Sequence, residues 1–140
     1  MTNIKDELYE NNNLIYYEML RYEIWYSLDK DNNVFLIENV DDLKLAQEKL
    51  RKKIKRTLIK KYNILISTIF LYVDHSCDIE DNKPILFETM IFFRNDKDHE
   101  LDQYQERYST YKEACDGHRR AVRLVISELR NNEKYNHIRS

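Results

Sequence analysis

Acid-base or metal chemistry in this chain would have to come from Asp74, His75, Glu88, Arg107 and His118. A histidine and carboxylate set of this kind can bind a divalent cation or move a proton. The five converge if a helix carrying His118 packs over the strand ends that carry Asp74-His75 and Glu88. Their spacing fits no metal motif, however, and each residue has a structural use. A histidine on an apolar helix face is ordinarily a satisfied core residue. A glutamate inside a strand ordinarily pairs with a cation such as Arg107, because an unpaired buried charge is costly. The expectation is therefore a buried polar cluster, with no metal and no cofactor. There is no nucleophile elbow, phosphate-cradling loop, dinucleotide fingerprint or paired-cysteine zinc motif, and Asp78, Glu80 and Asp81 lack the spacing and glycine of a calcium loop. A non-enzymatic protein is expected.

The chain has a single glycine, Gly117, inside a stretch that otherwise reads as a helix. Glycine there costs about 1 kcal/mol relative to alanine, so the position implies that something approaches the backbone closely. A methyl at Gly117 should clash with that neighbour, and His118 lies on the same apolar side.

Three further constellations point to binding. Seven of the eleven residues from Arg51 to Lys61 are basic: Arg51, Lys52, Lys53, Lys55, Arg56, Lys60 and Lys61. That density can neutralise phosphates of RNA or DNA, or can simply be a solvated helix end and a lysine-protected edge strand. Between Asp74 and Glu106 there are ten carboxylates against three basic residues. Glu80, Asp81, Asp96 and Asp98 fall in loops from which they could engage the arginines of a nucleic-acid-binding protein. Among eleven tyrosines, Tyr16, Tyr17, Tyr22 and Tyr26 gather around Trp25 near the N-terminus. Tyr17, Tyr22, Trp25 and Tyr26 suit a protein interface or a homodimer edge, since one end of such side chains is apolar and the other tolerates water.

The elements that must position these residues are read mainly from Asn and Asp clusters, because one glycine and one proline leave little punctuation. Residues 1–13 read as a flexible arm or short helix. Tyr22 to Leu28 alternates as a strand, and Val34 to Ile37 returns as its hairpin partner. Asn39 caps a helix whose apolar face is Leu43, Ala46, Leu50 and Ile54. Ile64 to Val73 and Pro84 to Phe93 are buried strands of an antiparallel hairpin. Asn95 to Gln105 reads as a flexible loop. Thr110 and Glu113 form a capping box for a last helix bearing Tyr111, Cys115, His118, Val122, Val125 and Leu129, and residues 131–140 read as a frayed tail. The fold class is α+β: one domain over 1–140, with an antiparallel sheet of about four or five strands and two principal helices. The net charge of −2 selects no polyanion by itself. The N-terminus has no signal-peptide pattern and no apolar run approaches a membrane span. Cys77 and Cys115 have no paired spacing, so a cytoplasmic protein with free thiols is expected.

The ordered segments Ile64-Leu65-Ile66-Ser67-Thr68-Ile69-Phe70-Leu71-Tyr72-Val73-Asp74-His75, Pro84-Ile85-Leu86-Phe87-Glu88-Thr89-Met90-Ile91-Phe92, Tyr104-Gln105-Glu106-Arg107-Tyr108-Ser109-Thr110 and Gly117-His118 resemble a family of small proteins encoded by bacteriophages and prophages. The chain departs from that family at Tyr72, before Pro84 and at Arg94-Asn95, where the family is glycine-rich. The resemblance implies a phage or mobile-element origin, a compact fold and no catalytic residues. It also implies a bacterial host cell as the setting. The leading expectation is a protein that binds and inhibits a host factor, such as an RNA-guided CRISPR nuclease or another immune complex. A nucleic-acid-binding accessory protein using residues 51–61 is the alternative.

Overall fold

The computed structural model describes residues 13–48, 52–74 and 83–136. Its contacts group into two compact units, Met1–Lys52 with Leu71–Leu86, and Lys53–Phe70 with Phe87–Ser140.

In the first unit, helix α1 (Asn13–Tyr22) leads to strand β1 (Tyr26–Leu28). The strand is shorter than the alternation suggests, and Tyr22 belongs to the helix. The Glu23 N–H still bonds to the Met19 carbonyl at 2.9 Å, so the backbone remains helical past Tyr22 and the alternating side chains there have no strand to sit on. Trp25 is buried and forms an isolated antiparallel bridge with Val73. Strand β2 (Val34–Leu36) pairs with β1 in the register Tyr26 to Leu36 and Leu28 to Val34. Their turn is organised by Asp29, whose carboxylate accepts the N–H groups of Asp31 and Asn33. These bonds, Asn33's first, hold its carboxyl below the usual range.

Helix α2 (Val40–Glu48) begins as expected at Asn39, whose Oδ1 accepts the Asp42 N–H at 2.8 Å, and it buries Leu43 and Ala46. It does not run on to Ile54. Lys52–Ile59 is strand β3, where the β-branched Ile54, Thr57 and Ile59 suit a pleated surface better than a helix. Leu50 lies outside the described residues.

In the second unit, β3 and β4 (Ile64–Phe70) flank the turn at residues 60–63, followed by β5 (Phe87–Phe93) and β6 (Gln105–Tyr108) in the sheet order β3-β4-β5-β6. The β4–β5 pairing sets Ile66 opposite Ile91 and Thr68 opposite Thr89, while β5–β6 sets Glu88 opposite Arg107. Residues of alternate parity point to opposite faces. Ile64, Ile66, Ile91 and Phe93 pack with Ala121, Val125 and Tyr135 from the helical side. That side is α3 (Tyr111–Asn131) followed by α4 (Glu133–Asn136). Half of the expected capping box is present: Thr110 Oγ1 accepts the Glu113 N–H at 3.1 Å, while the Glu113 carboxylate accepts from the Thr110 hydroxyl at 2.9 Å in place of its backbone N–H.

Two segments are more ordered than the polarity of their sequences suggests. The stretch from Asn95 to Gln105 is a series of turns pinned by His99, which stacks on Phe93 at 4.1 Å and bonds to Glu128 at 2.9 Å. The chain after Asn131 forms α4 and buries Tyr135, whose hydroxyl donates to Asp96 at 3.0 Å. Four non-glycine residues, Asn32, Asn63, Tyr72 and Gln103, adopt left-handed backbone conformations with φ of 64°, 53°, 66° and 65°. Among the described residues, no helix is long and apolar enough to cross a membrane.

Gly117 is buried on α3 against Tyr108 of β6, and a Cβ there would overlap the hydroxyl end of the Tyr108 side chain. Overpacking of this kind costs about 1–3 kcal/mol, more than the helix propensity that alanine restores. Gly117→Ala should therefore lower the melting temperature. Adding Tyr108→Ala should relieve the clash, so that the double variant is more stable than the sum of the two single effects requires. Strict additivity in thermal denaturation would rule out the contact as the reason for the glycine.

Candidate functional site

Helix α3 carries His118 down to the sheet, where it is buried. Its Nδ1 lies 2.8 Å from Thr68 Oγ1 and its Nε2 2.9 Å from Thr57 Oγ1, while Thr68 Oγ1 lies 2.5 Å from Thr89 Oγ1. A polar chain thus links β3, β4 and β5 to the helix. A neutral imidazole donates through one nitrogen and accepts through the other, and hydroxyl rotors can match either tautomer. Burial, and then the nearby Lys55 charge, hold the His118 pKa below its ordinary value. Tyr108, next to this chain, has a buried hydroxyl without a bond of good geometry. Its burial, only partly opposed by Thr89, pushes the phenol up to about 12.

Both His118 nitrogens are thus engaged, as expected of a satisfied core residue. Glu88 also behaves as expected: it is bound by Arg107 Nε at 3.0 Å and by the Gln105 amide. Glu88 precedes Thr89 in β5, so the Glu88–Arg107 pair and His118 occupy opposite faces of the sheet. Asp74, in the first unit, accepts the Ile85 N–H at 2.8 Å. His75 lies outside the described residues. Among the described residues no three His, Cys, Asp or Glu side chains are placed to hold a metal ion.

On the outer side of His118, a cavity of about 430 Å³ opens between β3 and α3. Thr57, His118 and Val122 line it, and Lys55, Arg56, Arg119 and Arg123 surround it. Only Arg119 has a carboxylate partner among the described residues, namely Asp116, which also binds Lys112 at 3.1 Å. Among the described residues Lys55, Arg56 and Arg123 meet none. Cations from two elements therefore converge on one concave surface with little internal compensation.

The sequence places Lys55 and Arg56 among the basic candidates but does not single out Arg119 and Arg123. Their signal is the i, i+4 spacing within a helix, legible only once Val122 and His118 fix which side of α3 faces the strand. Lys52, Lys53, Lys60 and Lys61 are exposed on or beside the edge strand, and Arg51 lies outside the described residues. Of the acidic candidates, Asp96 is occupied by Lys134 at 2.8 Å and by Tyr135, bonds that hold its carboxyl below the usual range. Asp98 is exposed, and Glu80 and Asp81 lie outside the described residues. Of the aromatic candidates, Tyr17 and Tyr22 are 50% and 75% exposed, Tyr26 is half-buried and Trp25 is core.

Folding lowers the His118 pKa, so the unfolded chain takes up this proton more readily. The stabilisation from neutral His118 is complete above about pH 6.5 and is lost as the pH falls below that value towards the folded-state pKa. His118→Ala should cost about 1–3 kcal/mol by leaving the threonine hydroxyls unsatisfied. It should also flatten the fall in denaturation midpoint between about pH 7 and 5. An unchanged pH slope in the variant would show that His118 does not contribute to it. Compared with protein-family models, curated proteins and solved structures, the chain matches none.

Proposed function

We propose that the protein is a non-enzymatic nucleic-acid-binding module that holds phosphates in the groove between β3 and α3. The observation that carries this reading is the convergence of Lys55, Arg119 and Arg123 on one cavity, Lys55 and Arg123 without a carboxylate partner among the described residues. Cations clustered without internal compensation attract anions, and a phosphate backbone supplies a series of them. The absence of a recognised catalytic motif fits binding without turnover. The double reversal Lys55→Glu with Arg123→Glu should abolish retardation of DNA and RNA in gels while leaving the melting temperature close to that of the parent, since neither side chain makes an ion pair among the described residues. Parent affinity should fall steeply with salt. Retention of full affinity by the folded double variant would remove the groove from the reading.

A second reading, that of a phage protein inhibiting a host factor such as an RNA-guided nuclease, draws on the first unit. Ile15, Tyr17, Tyr22 and Ile24 are each at least half exposed, an apolar and aromatic display typical of docking surfaces. Tyr22→Glu with Ile24→Glu should abolish co-purification of a bacterial partner without affecting nucleic-acid binding. A homodimer using the same residues would instead become monomeric in light scattering. If neither association is present in the parent protein, this reading fails.

A further inference from the structure

We infer that the groove's ligand is a double-stranded nucleic acid, held through its phosphates alone, with α3 lying along it; this rests on reading the groove as a nucleic-acid site. At 100° per residue, Lys112, Arg119, Arg123 and Arg130 fall within about 20° of a common line on α3. All four are exposed. From Lys112 to Arg130 the row is about 27 Å long, and the helix fixes the spacing of its members. Arg120, on the flank facing β6, is neutralised by Glu106. Arg123 and Arg130 have no such partner among the described residues, and Lys112 and Arg119 share the single carboxylate of Asp116. On α3, among the described residues, positive charge therefore remains uncompensated along this row, and Lys55 and Arg56 lie on the neighbouring strand.

A rigid row of cations matches a polymer whose phosphates are themselves held rigidly. A single strand would have to be ordered to meet it, at an entropic cost that proteins usually offset by stacking bases on aromatic rings. Among the described residues no aromatic side chain lines the groove. Tyr62, the nearest in sequence to the basic strand, is already used: its ring meets Tyr135 edge-on at 4.9 Å and carries Lys61 at 5.6 Å from its centroid. Tyr111 packs on Phe87 at 6.5 Å. With the bases paired inside a duplex, no stacking platform is needed, and recognition through phosphates alone is independent of sequence.

The test compares the intact protein's binding, by fluorescence anisotropy at low salt, to duplex DNA, duplex RNA and a single strand of the same sequence, each of about 20 nucleotides per strand. At least about tenfold tighter binding of a duplex is expected, with little dependence on sequence. Arg130→Glu, outside the cavity but on the row, should weaken duplex binding several-fold and flatten its salt dependence by about one phosphate's worth. The two duplexes distinguish A-form from B-form preference. Equal or tighter binding of the single strand would overturn the duplex inference while leaving the groove reading intact. An unaffected, folded Arg130→Glu protein would overturn the role of the row. No binding to any probe would overturn both readings.

Discussion

The second unit depends on how closely α3 can approach the sheet. Gly117 sits beneath Tyr108 where no side chain larger than hydrogen fits, and the next residue, His118, can then reach hydroxyls on two strands. Where α3 faces β3 a cavity remains, with His118 and Thr57 as part of its lining. Close packing and the polar chain both depend on this contact. Burial of Ile66, Ile91, Phe93 and Val125 supplies much of the driving force, while the threonine and histidine bonds fix the helix in one place over the strands.

Charge on α3 is partitioned by its two flanks. Towards β6, Glu106 ties Arg120 and accepts from Tyr104 at 3.0 Å. Towards β3, the strand contributes Lys55 and Arg56 and no acid. Among the described residues, this flank of α3 thereby carries more cations than acids. At the far end of the helix, Glu128 and Asp96 turn inward, to His99 and Asn132 in one case and to Lys134 and Tyr135 in the other. These carboxylates stabilise the α3–α4 corner, while Asp116, bound to Lys112 and Arg119, meets the cations on the groove side.

Much of this was legible in the sequence. The β-branched runs around Ile66 and Ile91, the Thr110–Glu113 cap and the Gly117 close approach all express local rules that the tertiary structure reinforces. Glu88–Arg107 and the buried His118 were legible for the same reason: a charge or an imidazole inside an apolar pattern needs a partner. The failures arose where two periodicities overlap. Leu43, Ala46, Leu50 and Ile54 fit a helix on paper, yet the chain leaves the helix before Ile54 because β4 offers an edge for β3 to pair with, and that option is invisible locally. The basic groove was half legible: the strand's contribution stood out as a run, while Arg119 and Arg123 were hidden within a mixed-charge helix until its orientation was known.

The near absence of glycine acts on the unfolded chain as much as on the folded one. Turns that commonly employ glycine here place Asn32, Asn63, Tyr72 and Gln103 in left-handed conformations. Such residues each carry a backbone strain of about 1–2 kcal/mol, less for asparagine. In exchange, the denatured ensemble is stiffer, because residues with a Cβ sample fewer backbone states than glycine and therefore lose less entropy on folding. The protein thus tolerates local distortion in its loops while starting its search for the native state from a narrower set of conformations.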